Sequence, residues 1–108
     1  MQTRRKIKVL IVDDSLFFRE ALEKGISKDA GLEVVGTASD PFMARDKILE
    51  LDPDVMTLDV EMPRMNGIEF LRRLMPQYPL PVVMISGYGE NVFEALNAGA
   101  VDFVAKPD

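Results

Sequence analysis

The chain contains no cysteine and no histidine. Without cysteine it can form neither disulfides nor thiolate metal sites, and it carries no mark of an oxidising compartment. Without histidine it cannot assemble a Ser-His-Asp hydrolase triad. Long apolar runs are missing as well, and none approaches the about 20 residues that a membrane-spanning helix requires. Charged residues recur as far as Lys8, and the Ile-Val run that follows ends at Asp13, which is unlike a secretory signal. Positive charge is scarce. With 13 Lys+Arg against 18 Asp+Glu, the net charge is −5, the wrong sign for a general binder of phosphate backbones. The basic cluster Arg4-Arg5-Lys6 reads as a solvated lead-in. The expectation is a cytoplasmic, soluble protein with no membrane insertion and no direct contact with nucleic acid. A length of 108 residues suits one domain burying about two-thirds of its unfolded surface.

What the chain does have is alternation. Short apolar runs alternate with amphipathic stretches, the pattern of strand-helix-strand units and a parallel sheet. The first strand spans Ile7 to Val12, and its continuous aliphatic character implies burial on both faces. Asp14 or Ser15 caps a helix carrying Phe18, Leu22 and Ile26, with a stop near Gly31. A second strand covers Glu33 to Thr37. Asp40-Pro41 opens a helix that runs through Ala44 and Ile48 to Leu51 and ends at Asp52-Pro53. The third strand is Asp54 to Leu58, and Asp59 to Gly67 is a loop rich in turn formers. A helix through Ile68, Leu71 and Leu74, a strand from Val82 to Ile85, a helix through Val92 and Leu96 stopped by Gly99, and a strand from Val101 to Ala105 complete the pattern. Five strands are thus made with only four helices. Since helices must cover both faces of such a sheet, apolar side chains near the last strand are expected to be exposed. Either a last helix lies beyond this chain, or a partner covers that face.

Four of the five runs end in a chemically capable residue: Asp13-Asp14, Asp59, Ser86, and Lys106 before Pro107. The second ends in none. In an open parallel sheet strand ends converge on one crevice, so three carboxylates, a hydroxyl and an amine can share a pocket. Clustered carboxylates repel unless a cation neutralises them, and an all-oxygen set that retains waters suits Mg²⁺. Asp14 and Asp59 would be direct ligands and Asp13 would act through water. A carboxylate beside such a metal can attack a phosphoryl group, Lys106 can neutralise its oxygens, and Ser86 can donate to the product. Each group alone has a plainer reading. Asp13-Asp14 could merely cap a helix, Asp59 start a turn, Ser86 satisfy nearby backbone, and Lys106 sit in solvent. Their joint placement at strand ends favours the pocket.

The motifs LIVDDS, LDVEMPRMNG, VVMISG and DFVAKP, in this order, resemble the receiver domains of bacterial two-component response regulators across almost the whole chain. Within that family EVVGTA, PDVMTLDVEMPRMNGIEFLRRLM and PVVMIS are most similar to the receiver of chemotaxis protein-glutamate methylesterases, whereas GYGENVFEAL departs from the Ser/Thr-rich stretch expected there. The resemblance implies a three-layer, flavodoxin-like doubly wound sheet of order 2-1-3-4-5, a single domain over residues 1–108 cut before its last helix, and phosphorylation of Asp59 by a partner histidine kinase. It adds the backbone carbonyl of Glu61 to the Mg²⁺ ligands, makes Phe103 a switch aromatic coupled to Ser86, puts Tyr88 at the pocket border and suggests a cis Lys106-Pro107 bond. It also implies a methylesterase effector beyond residue 108, acting on chemoreceptors. Two other readings stay open: a stand-alone receiver or one with a DNA-binding output, and a Mg²⁺-dependent phosphohydrolase that turns over repeatedly.

Overall fold

The computed structural model describes residues 5–87 and 91–107. Within them five strands alternate with four helices: β1 (Ile7–Val12), α1 (Leu16–Ile26), β2 (Leu32–Ala38), α2 (Pro41–Leu51), β3 (Val55–Asp59), α3 (Gly67–Leu74), β4 (Val82–Ser86), α4 (Val92–Ala98) and β5 (Asp102–Ala105). The strands form one parallel sheet in the order β2-β1-β3-β4-β5, as expected from the resemblance.

Local chemistry sets most of the boundaries. Ser15, not Asp14, caps α1, its hydroxyl accepting from the Phe18 N–H at 3.2 Å. Asp40 caps α2 by accepting from the Met43 N–H at 2.8 Å, and Pro41 takes the first helical position, where its missing N–H is harmless. Asn66 caps α3 through the Ile68 N–H at 2.7 Å. Helix α1 stops at Ser27, ahead of Gly31; the intervening turn is closed by the Asp29 carboxylate, which accepts from the Gly31 N–H at 2.7 Å. Helix α2 ends at Asp52, in the left-handed region at φ 47°, a conformation that aspartate tolerates better than most residues.

Packing is unequal on the two faces. Leu10, Val12, Met56, Leu58, Val82 and Met84 are buried with residues of α2, α3 and α4 in one core. Strand β1 is buried on both faces from Val9 to Val12, as its unbroken aliphatic run requires. On the other face α1 touches β1 and β2, yet none of its residues is fully buried, and the spaced set Phe18, Leu22 and Ile26 is half-buried. Near the last strand Val101 and Val104 remain 63% and 46% exposed, as anticipated for apolar side chains there.

Two expectations are corrected. Strands β3 and β4 extend to Asp59 and Ser86, because parallel pairing holds these residues in register with Ile85 and Ala105. Within the basic lead-in, Arg5 and Lys6 are exposed as expected, and Arg5 makes a surface ion pair with Asp54 at 2.7 Å. No peptide bond among the described residues is cis, so Lys106-Pro107 is trans, the isomer that X-Pro bonds prefer by about 0.5–1 kcal/mol.

Two glycines test the backbone account with opposite signs. Gly99 closes α4 at φ 119°, and a Cβ there would also lie 2.9 Å from Met75 Cγ. Gly99→Ala is expected to lose about 1–2 kcal/mol. Gly25 lies within α1, where a Cβ would meet nothing within 4 Å, and Gly25→Ala should gain roughly 0.5–1 kcal/mol. Urea denaturation of both variants checks the pair; equal effects would sink the account.

Candidate functional site

The sheet delivers the site residues to one edge. Asp13 follows β1, and its N–H donates to the Ala38 carbonyl at 3.0 Å, continuing the ladder to β2. Asp59 and Ser86 are the last residues of β3 and β4, and the Lys106 N–H donates to the Ser86 carbonyl at 2.8 Å just past β5. The chain leaves β1 toward β2 and returns to β3 on the other side. The following loops therefore diverge and leave a crevice above β1 and β3. Strand β2, whose end carries no such group, is at the sheet edge.

In the crevice, carboxylate oxygens of Asp13, Asp14 and Asp59 lie within 4.8 Å of one another. Asp13 and Asp59 are 1% and 3% exposed, while Asp14 faces solvent. Metal-oxygen bonds of about 2.0–2.6 Å place opposite ligands roughly 4–5 Å apart, so this donor set fits a hard divalent cation. The Lys106 ammonium lies 2.9 Å from Asp13 Oδ2 and 3.4 Å from Asp59 Oδ1, with the Phe18 ring centroid 4.5 Å away. The second Asp13 oxygen accepts from the Ser15 N–H at 2.8 Å, and the Arg19 guanidinium donates to the Asp13 carbonyl at 2.6 Å. The start of α1 and the crevice therefore share one hydrogen-bonded frame.

This crowding shifts proton affinities. Asp59 is pushed up to about 7, first by burial and then by the charges of Asp13 and Glu61, against the opposing pull of Lys106. For Lys106, burial works to lower the proton affinity, but the hydrogen bond to Asp13 and the fields of Asp59 and Asp13 outweigh it, leaving the ammonium above its ordinary range. It is held protonated beside the acids.

Ser86 is fully buried, and its hydroxyl donates toward both carboxylate oxygens of Glu61 at 2.8 Å. The sequence reading used only the Glu61 carbonyl; the side chain is also engaged, and a spacing of 25 residues gave no signal of it. Gly67 was read as a turn former, but its role is steric. A Cβ there would sit 2.0 Å from the Asp59 carbonyl oxygen, and the Gly67 N–H donates to the Val60 carbonyl at 2.8 Å. The loop after Asp59 thus closes back onto the strand it leaves. Phe103 is half-buried against the core and in register with Met84. Tyr88 lies outside the described residues.

Two outcomes follow. Because Asp59 is raised from 3.8 to about 7, the native chain holds a proton there that the unfolded chain releases. Its stability therefore falls as pH rises through that window. Without divalent cations Asp59→Asn is expected to be more stable than wild type near pH 8, by on the order of 1–3 kcal/mol, and the gap should close toward pH 4. Adding a divalent cation at the higher pH should narrow it by stabilising only wild type; thermal melts across pH read this, and a gap independent of pH refutes the assignment. Gly67→Ala is expected to cost about 3 kcal/mol or more in urea denaturation, because the clash is with backbone that cannot repack.

The sequence profile of the family described as "Response regulator receiver domain" matches residues 9–108. Over 104 residues the chain is 76% identical to a protein-glutamate methylesterase/protein-glutamine glutaminase of Syntrophomonas wolfei, the match covering 96% of this chain and 30% of that protein. A protein of the same description from Syntrophotalea carbinolica is 61% identical over 107 residues, with 95% and 30% covered. The chain thus spans about a third of the length of these curated relatives. Among solved structures, the response regulator domain of Thermotoga maritima CheB superposes with a TM-score of 0.89 at 47% identity, covering 95% of this chain and 80% of that one. No helix among the described residues is long and apolar enough to cross a membrane. With fold, strand-end residues and sequence profile in agreement, the chain belongs to the response regulator receiver domain family.

Proposed function

We propose that this domain is a Mg²⁺-dependent phosphoacceptor in which Asp59 takes a phosphoryl group from a phosphohistidine on a partner kinase. One observation carries the reading: Asp59 is buried at a strand end, within reach of two further aspartates and of the Lys106 ammonium. An Asp59 oxygen attacks phosphorus, the phosphorus-nitrogen bond of the donor breaks, and the leaving imidazole recovers its proton. No histidine is present in this chain, so the donor belongs to another protein. Asp13, Asp14, Asp59 and the Glu61 carbonyl would hold the metal, which supplies charge neutralisation at the transferring oxygens. Lys106, already protonated and paired with Asp59, is placed to exchange that carboxylate for a phosphoryl oxygen. Charge stabilisation of this kind is commonly worth orders of magnitude in rate.

The signal then passes through Ser86. Its hydroxyl leaves Glu61 for the new phosphoryl group, and the half-buried Phe103 ring turns further inward, shifting the balance between two surface states. The long relatives, described as protein-glutamate methylesterases/protein-glutamine glutaminases, support a receiver portion joined to an esterase of protein glutamate methyl esters; the resemblance makes chemoreceptors its substrates. In that setting this domain restrains the esterase until phosphorylated. Identity of 76% over 104 residues to part of a protein described as a protein-glutamate methylesterase favours this over a DNA-binding output.

Intact-mass measurement after incubation with Mg²⁺ and acetyl phosphate tests the proposal. Wild type is expected to gain one phosphoryl group, Asp59→Asn none, and chelation of the metal should suppress labelling at least about a hundredfold. Lys106→Ala should slow labelling by roughly a hundredfold. Unchanged labelling of Asp59→Asn would falsify the acceptor assignment. Repeated turnover of a small phosphomonoester would instead mark a phosphohydrolase.

A further inference from the structure

A groove of about 430 Å³ opens between α2 and α3, and none of the crevice carboxylates lines it. Its floor is apolar, with Ile48, Phe70 and Leu74 buried. One wall is a ridge of α2 in which Phe42, Arg45 and Leu49 recur at helical spacing. On that ridge Phe42 is 49% and Leu49 65% exposed, so the apolar floor continues onto an open apolar wall. At one end the Tyr78 hydroxyl donates to the Asp52 carboxylate, bridging α3's exit to the end of α2.

The charge of the groove is opposite to that of the chain. Although the net charge is −5, the charged residues lining the groove are Arg45 and Arg73, with no carboxylate among them. Arg64 adds a third guanidinium, 5.9 Å above the Phe42 ring. Its backbone sits at φ 72°, a left-handed conformation that a residue with a Cβ adopts only under constraint. Arg73 is paired with Glu69 at 3.1 Å, but both side chains are exposed, so the pair is weak and exchangeable. Arg45 pairs with no carboxylate among the described residues.

We propose that the α2–α3 groove docks an acidic, amphipathic segment of a partner protein, its large apolar side chains on the groove floor and its carboxylates on Arg45, Arg64 and Arg73. A small basic rim on an acidic domain selects such a segment over an extended polyanion, because the rest of the surface repels nucleic acid or an anionic bilayer. Arg64 and Met65 belong to the loop between Asp59 and α3. The docked segment therefore rests on the same loop that leaves the acceptor strand. Docking itself does not require a phosphoryl group on Asp59.

The test uses the 108-residue chain and a fluorescein-labelled peptide of about 14 residues, near four helical turns. In the peptide Leu and Phe recur at helical spacing and Glu fills the other positions. Fluorescence anisotropy is expected to show saturable binding that weakens with salt. Binding should fall at least about tenfold in Leu49→Glu and in the double variant Arg45→Glu/Arg73→Glu, all exposed positions, with circular dichroism confirming the fold. A peptide with Lys in place of Glu should not bind. Asp59→Asn should bind like wild type, so that docking and the acceptor assignment stand or fall separately. Absence of binding, or binding indifferent to both sets of substitutions, overturns the proposal. Binding to phosphatidylglycerol vesicles that is lost in the same variants also overturns it, assigning the surface to lipid.

Discussion

Crowded like charge is the constraint on which the rest of this structure depends. Asp13, Asp14 and Asp59 bring carboxylate oxygens within 4.8 Å, with Glu61 near enough to raise the proton affinity of Asp59 further. Left to electrostatics these groups would separate. They are held because the residues that carry or precede them belong to the most buried strands of the sheet, where Leu10, Ile11, Met56 and Leu58 are fully enclosed. The hydrophobic core supplies the driving force, the parallel ladder the alignment, and the crevice inherits the strain. Lys106 relieves part of it by spanning Asp13 and Asp59. The remaining imbalance is what a proton on Asp59 or a bound cation would relieve, since an uncompensated buried charge is among the costliest features a fold can hold.

Much of this was legible in the sequence because the information was local. Aliphatic runs ending in acids, Asp40-Pro41 at a helix start and Gly99 at a helix end each act through neighbours a few positions away. The strand ends were also legible, because in a parallel sheet they must share an edge. What escaped depends on tertiary contact. Glu61 and Ser86 meet across 25 positions, and no periodicity links them. Gly67 looked like an ordinary turn glycine until the Asp59 carbonyl was found where its Cβ would be. Phe18 was read only as part of an apolar helix face, although its ring also flanks the Lys106 ammonium. Sequence alone left the cap of α1 open between Asp14 and Ser15; Ser15 takes it, with its N–H donating back to the Asp13 carboxylate, and Asp14 is left open to solvent.

The two faces of the sheet have different characters. The face under α2, α3 and α4 is a closed core, and its outer surface carries the arginine-rimmed groove. The face under α1 is thin, with no residue of that helix fully buried. The crevice lies at the end of the sheet between these two layers, so a change there can reach either surface through a single strand or loop. The loop from Asp59 to Gly67 leads toward α3, and Ser86 at the end of β4 lies beside Ala105, two positions beyond Phe103 on β5.

The bond between Ser86 and Glu61 bears on how such a change is balanced. In the receiver reading, the hydroxyl exchanges one anionic acceptor, a carboxylate, for another, a phosphoryl group. Donors of this kind form charge-assisted bonds of similar strength with either partner. The exchange therefore involves a small difference between two large terms. On that reading the two states would stay close in free energy, and the charge arriving at Asp59 would decide between them, not the strength of any bond made or lost by Ser86.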